Sequence, residues 1–345
     1  MPTPKLSQEL KEEARRLYNQ CLTEGYSPVG AGSGPSAVRE AARRLDTNPT
    51  TFLNRLKRGK YTEQQTAIQL SQKSISKEPV TPQNTRVQRY SSVYPSGPYP
   101  DYDSFVVLPD WHVPFHNTEH LCCAREFVAI FKPTVIFLPG DIFDCYQLAR
   151  FPKNPELLHK LQQDLDLARE QLELLRMSAP SAVIQYIQGN HEFRLRKYLW
   201  TKAPELSGLR DLDIRHQMRL EEQGIFYQEK PIRHKSLYVK HGNLIRTKGG
   251  YTARGELERN LITGVSGHSH RMGCSYMTTP NGVIKWYECG TLADIERLSD
   301  EYLEGQTPDW HPGFAYGYVN EQRCTVYLAE IVDGSVIYNG VSIHG

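Results

Sequence analysis

The chain has 345 residues, 39% of them hydrophobic and 23% charged, with a formal net charge of +2. That length exceeds one average domain, and the composition is that of a globular protein rather than a disordered or fibrous one. Seven cysteines without a CxxC pair argue against a disulfide framework or a thiolate zinc module, and the lack of an apolar leader or an 18-residue apolar run predicts a soluble, cytoplasmic protein with no membrane partner.

The small net charge hides an asymmetry. Residues 1–60 hold 11 Lys and Arg against 6 Asp and Glu, which leaves the rest of the chain mildly acidic. A basic end of this kind suits a polyanion partner. Leu10, Ala14, Leu17, Tyr18 and Cys21 recur at helical spacing behind Ser7. A second helix over 36–45 buries Ala37, Ala41 and Leu45 and exposes Arg39, Arg43 and Arg44. After the Asp46–Pro49 turn, a short helix carries Arg55, Lys57 and Arg58 and stops at Gly59. Two short helices on a tight turn, the second basic, form a helix-turn-helix layout over residues 1–70. It resembles the small helix-turn-helix domains of transposases and phage regulators, which implies DNA as partner. The plainer reading is a basic helical bundle that docks on the rest of the protein.

Residues 71–104 read as a Pro/Ser/Tyr-rich linker. Its tyrosines either stack on bases beside Arg86 and Arg89 or pin the linker to the following domain. From residue 105 to 345 strands and helices alternate, which predicts an α/β fold with right-handed crossovers. Strands are expected at 105–108, 134–138, 182–187, 237–240 and 261–265, and helices at 119–131, 155–177, 192–199 and 251–260. Residues 203–222 fit no period. Pro280-Asn281-Gly282 predicts a hairpin, and further strands are expected at 314–319, 325–331 and 336–338.

Five of the predicted strands run into polar clusters: Asp110 and His112; Asp141; Asn190 and His191; His241; His268 and His270. Strand ends of a layered α/β fold converge at one edge, so these groups can meet in space. A lone His after a strand is more often just hydrogen-bonded, and Asn190 before a helix is a good cap. Repetition at five strand ends is what that plain reading fails to explain. Mixed oxygen and nitrogen donors suit borderline or harder divalent metals, and so many side chains exceed the needs of one ion but not of two.

The ordered set Asp110-Trp111-His112, Gly140-Asp141-Ile142-Phe143-Asp144, Gly189-Asn190-His191-Glu192, His241-Gly242 and Gly267-His268-Ser269-His270 resembles the calcineurin-like metallophosphoesterases. The resemblance implies a four-layer α/β/β/α sandwich behind the small all-α N-terminal domain. It implies two divalent cations, manganese foremost, with iron, zinc, nickel or magnesium as alternatives. Asp110, His112 and His270 would hold one ion, Asn190, His241 and His268 the other, and Asp141 would bridge them. His191 would be the catalytic histidine, and Glu192 would orient it. Asp144 is either a carboxylate that orients a ligand histidine or a solvated surface group. Arg194, Arg196, Arg246 and Arg271, with Lys197 and Lys248 nearby, are the candidate phosphate contacts.

The Gly140–Asp144 segment also resembles the DNA-repair nucleases of this superfamily, and the stretch from Tyr302 through Ala315 is similar to tails of bacteriophage phosphoesterases. The expected activity is phosphodiester hydrolysis on DNA by a phage-borne protein in the host cytosol. A phosphomonoesterase or small-nucleotide phosphodiesterase with a regulatory front domain is the second reading, and a DNA-binding scaffold with an inactive enzyme fold the third.

Overall fold

The computed structural model describes residues 16–18, 20, 41, 44, 102–155, 160–303 and 306–345. The chain divides into two units, Met1–Pro98 and Tyr99–Gly345. In the first, the described residues are helical, with Ala41 buried and Arg44 half-buried rather than exposed. Arg39, Arg43, Arg55, Lys57 and Arg58, and the expected linker up to residue 101, lie outside the described residues.

The second unit opens with β1 (Asp103–Val107), α1 (Thr118–Phe131), β2 (Val135–Leu138), α2 (Leu161–Ser178), β3 (Val183–Ile187) and α3 (Phe193–Lys202). Then come α4 (Ile214–Gln217), β4 (Ile225–Gln228), β5 (Ile232–His234), β6 (Leu237–Lys240), α5 (Tyr251–Asn260) and β7 (Gly264–Ser266). A hairpin of β8 (Met272–Thr279) and β9 (Gly282–Cys289) leads to α6 (Ile295–Tyr302), and the unit ends with β10 (Gly313–Val319), β11 (Cys324–Glu330), β12 (Ser335–Tyr338) and β13 (Val341–His344). Several elements differ from the sequence expectation, and β4, β5, α6 and β13 had no counterpart in it. The helix expected from residue 155 begins at Leu161, and the unplaced stretch 203–222 forms two single 3-10 turns and α4.

A six-stranded sheet has the order β11-β10-β1-β2-β3-β4, with β1 to β4 parallel and β10 and β11 antiparallel. A mixed five-stranded sheet has the order β5-β6-β7-β9-β8. Side-chain alternation explains why the central strands read as unbroken apolar runs, because both of their faces are covered. From β1 and β2, Phe105, Val107, Val135 and Phe137 pack in one core with Val239, Val265 and Tyr287 of the second sheet. Their neighbours Val106, Ile136 and Leu138 face a second core, where α1 supplies Phe127 and Val128 and α2 supplies Leu165, Ala168, Leu172 and Leu175. On the far side of the second sheet, Ala253 and Leu257 of α5 pack on Trp286. Asn117 caps α1 by accepting from the His120 amide at 3.0 Å. Among the described residues, no helix is long and apolar enough to cross a membrane.

Phe127 is fully buried, with its ring centroid 4.9 Å from those of Phe314 and Tyr316 and 5.1 Å from that of Tyr338. It ties α1 to the sheet and to the β12–β13 hairpin. Phe127→Ala should destabilise the protein by about 3–5 kcal/mol. The expected readout is a lower urea midpoint at an unchanged slope, with metal stoichiometry preserved.

Candidate metal centre

The parallel strands β1, β2 and β3 end at one edge of their sheet, and β6 and β7 are parallel in theirs. The loops that leave these five ends carry the candidate ligands. Asp110, His112 and His270 form one group, Asp141, His241 and His268 a second, and within each the ligand atoms lie within 4.8 Å of one another. His112 Nε2 is 3.0 Å from His270 Nε2. His241 Nε2 is 3.1 Å from His268 Nδ1, 2.9 Å from Asn190 Oδ1 and 3.1 Å from Asp141 Oδ2. Asp141 Oδ2 also lies 3.9 Å from His112 Nε2, so this one carboxylate reaches both groups.

The local backbone is bent to achieve this. Asp110 (φ 47°), His112 (52°), Asp141 (52°), His268 (69°) and His270 (56°) all adopt the left-handed region. Each costs a non-glycine residue of order 1–3 kcal/mol, and such strain gathers at functional sites. Glycines clear space beside them. A Cβ on Gly189 would sit 2.1 Å from Asp141 Oδ1, and one on Gly267 would sit 2.2 Å from Asp110 Oδ2.

The donor chemistry fits divalent cations. Asp144 Oδ2 accepts from His112 Nδ1 at 2.8 Å, so the neutral ring keeps its proton there and turns a bare Nε2 lone pair toward His270. Burial pushes the His112, His268 and His270 pKa values down, the second to about 4, and so keeps these rings neutral. Burial, with the Asp141 charge adding to it, pushes Asp110 up to about 8. Burial also lowers the affinity of His241 for a proton, but Asp141 outweighs it and raises the pKa to about 9. The buried carboxylates thus compete for cationic charge, which a metal ion supplies.

The remaining residues divide. Asp144 is fully buried; its Oδ2 lies 3.0 Å and its main-chain carbonyl 3.1 Å from His191 Nδ1, and its other carboxylate oxygen accepts from Tyr302 Oη at 2.7 Å and Arg194 Nη1 at 3.3 Å. Burial opposes its ionisation, but the facing imidazoles, His191 foremost, hold its pKa below the usual carboxylate range. For His191, burial is outweighed by Asp141 and Asp144, which raise the pKa of the ring. Its Nδ1 is committed to Asp144, so proton exchange falls to Nε2, where Arg194 Nη2 approaches to 3.1 Å.

Glu192 differs from the expectation that it orients His191. Its buried carboxylate accepts from the amides of Asp141 (3.0 Å), Ile142 (2.7 Å), Phe143 (3.1 Å) and Gly189 (2.9 Å), and from Tyr186 Oη at 2.7 Å. It clamps the loop after β2 to the loop after β3, while Asp144 holds the His191 ring. Arg196 also departs from its expected place. It pairs with Glu229 at 2.6 Å and lines a separate cavity of about 640 Å3. Arg246 is exposed and gives its carbonyl to Arg271, which binds Asp309 at the rim of the metal cleft.

Sequence reasoning gave no role to Tyr302, Trp310 or Glu288. Trp310 packs edge-on against His270 with centroids 4.6 Å apart. Glu288 accepts from Ser269 Oγ at 2.7 Å and from the Gly250 and Ala253 amides at 2.8 and 3.1 Å, so it fixes the residue between His268 and His270. Their only signal in the sequence was proximity of Tyr302 and Trp310 in one segment.

No protein-family model matches the chain. Gene 54 protein of Mycobacterium phage L5 is 25% identical over 248 residues, covering 68% of this chain and 96% of that protein. Vacuolar protein sorting 29 from Cryptosporidium parvum aligns over 71% of this chain and 97% of its own, at 15% identity and a TM-score of 0.38. YfcE, a phosphoesterase from E. coli, aligns over 68% and 97%, at 13% identity and a TM-score of 0.33.

Glu192→Gln replaces one acceptor oxygen with an amino group that faces backbone N–H donors. It should cost about 3 kcal/mol of stability and lower metal stoichiometry, read by urea denaturation and elemental analysis. Unchanged stability would instead place the role of Glu192 at the His191 ring.

Proposed function

We propose that the chain is a calcineurin-like, dinuclear-metal phosphoester hydrolase that acts on phosphodiesters, with DNA as substrate. The observation that carries this reading is the meeting of Asp110, His112 and His270 with Asp141, His241 and His268 around the shared Asp141 carboxylate. Two helix-covered sheets packed face to face support the four-layer form of that fold. The mycobacteriophage relative supports a phage-borne protein.

In this reading the first group holds one cation, the second group with Asn190 holds the other, and Asp141 serves both. Manganese is the proposed ion, on the grounds of its mixed oxygen and nitrogen ligands. When bound there, two cations would supply neutralisation of phosphate oxygens and a lowered pKa for water. The protein supplies the rest. Asp144 fixes His191 Nδ1, and Nε2, which accepts from Arg194 Nη2 at 3.1 Å here, would take up and give the leaving alkoxide its proton once Arg194 turns to a substrate phosphate oxygen. Arg271 closes the rim. The basic residues Arg39, Arg43, Arg44, Arg55, Lys57 and Arg58 would hold the catalytic unit near DNA by tethering. A complete ligand set with His191 retained disfavours the inactive scaffold.

Purified protein with Mn2+ should cleave DNA and bis-p-nitrophenyl phosphate, and hydrolysis of p-nitrophenyl phosphate alone would overturn the diesterase reading. His191→Ala should lower kcat by about 10²- to 10⁴-fold with both metals retained, and an equally active variant would remove His191 from the proton step. Deleting residues 1–75 should weaken DNA binding and flatten its salt dependence while leaving bis-p-nitrophenyl phosphate turnover intact. An unchanged salt slope would end the tethering proposal.

A further inference from the structure

The cleft over the metal centre has a volume of about 320 Å3, a size that accepts an organic ligand and not merely a phosphate. Its floor is polar, with His112, Asp141 and His270. One wall is apolar, formed by Trp310, Ile245, Leu303 and Pro308, while Ser269 and Tyr302 also line the cleft and Arg271 and Asp309 stand at its rim. A site built for a bare phosphate group would surround it with cations and donors, so the apolar wall needs a different explanation.

Two features single out Trp310 and Ile245. Trp310 is held by two neighbours: its ring lies edge-on to His270, and it packs against the satellite core of Phe115, Tyr146, Ala293 and Leu298. The half-buried indole still lines the cleft, so a constrained part of its aromatic surface is open directly beside a candidate metal ligand. Ile245 is 59% exposed, in the loop that follows His241. Exposed branched aliphatics are ordinary on a surface, but this one lies on the wall of the same cleft. Arg271 is already tied to Asp309 and to the Arg246 carbonyl, so it braces the wall between them.

We propose that Trp310 and Ile245 form a stacking subsite for a nucleobase carried by the phosphodiester whose phosphate lies at the metal centre. This rests on the phosphodiesterase reading and sharpens its substrate class to nucleoside esters. Stacking of a base on an aromatic side chain is sequence-tolerant, because every base has a flat face, and is worth about 1–3 kcal/mol per base. Selectivity of about 5- to 150-fold for a nucleoside ester over an alkyl ester follows.

The test compares two diesters with the same leaving group, thymidine 5′-(p-nitrophenyl phosphate) and methyl p-nitrophenyl phosphate, on the full chain with Mn2+. Wild-type protein should favour the thymidine ester in kcat/KM by at least about fivefold. Trp310→Ala should collapse that ratio toward one, chiefly through the KM of the thymidine ester, and Trp310→Phe should keep most of it. Ile245→Ala, at a position 59% exposed where truncation costs little stability, should lower the ratio about two- to fivefold. Equal use of both esters by wild type, or an unchanged ratio in all three variants, overturns the subsite while leaving the phosphodiesterase intact.

If wild type hydrolyses neither ester, the phosphodiesterase reading itself fails, and equilibrium dialysis with thymidine 5′-monophosphate decides the subsite alone. Weaker binding by Trp310→Ala and Ile245→Ala than by wild type would support it. Equal binding by all proteins would overturn it.

Discussion

The carboxylate of Glu192 is the contact on which the geometry of the metal centre hangs. Four backbone amides and one tyrosine hydroxyl converge on it inside the protein. A buried carboxylate without such partners would be costly, whereas one that accepts several donors is strongly stabilised. Three of the four amides belong to the loop that presents Asp141, and the fourth to the loop that presents Asn190 and His191. The ends of β2 and β3 are therefore fastened to each other before any metal is considered. Glu288 makes a smaller version of the same arrangement behind Ser269, on the other sheet.

These anchors explain how the strained backbone persists. Five of the candidate ligands hold left-handed φ values, and the carboxylates among them are crowded by glycines that leave no room for a Cβ. Neither condition favours folding by itself. The two-faced packing of β1 and β2 and the amide clamps supply the rigidity that holds the loops in place. Donor atoms about 3 Å apart are then preorganised, so less ordering remains to be done on metal binding.

The parts legible in the sequence were those with a local pattern. Doubly covered strands such as β1, with Phe105, Val106 and Val107, and β2 (Val135–Leu138) announce themselves as apolar runs, and the polar clusters that follow them stand out by contrast. The β4 strand had no such signal: Ile225 is buried but Phe226 is 61% exposed, and the strand lies at the sheet edge. Its placement depends on Arg176, which donates to the carbonyls of Ala182, Gln223 and Gly224 across the end of α2. The partners of Glu192 were illegible for a related reason, since backbone amides leave no mark in a sequence. Tyr302 meets Asp144 across 158 positions, and no spacing rule reaches that far. The sequence suggested a line of phosphate-gripping arginines after Glu192, but two positions along the helix, just over half a turn, put Arg194 beside His191 and Arg196 on Glu229.

Asp144 links the two kinds of chemistry that this centre would perform. One of its oxygens faces both His112 Nδ1 and His191 Nδ1, so the same carboxylate sets the tautomer of a candidate ligand and of the candidate acid. Its other oxygen is held by Tyr302 and Arg194. A change at Asp144 would therefore disturb both rings together and could not separate the two proposed roles. Asn190 and His191 are separable, although they are neighbours on one turn. Asn190 points its carboxamide oxygen to His241, while His191 turns to Asp144 and Arg194. The tight turn between β3 and α3 directs adjacent side chains to different partners, and in the proposed chemistry this would let two adjacent residues divide binding from proton transfer.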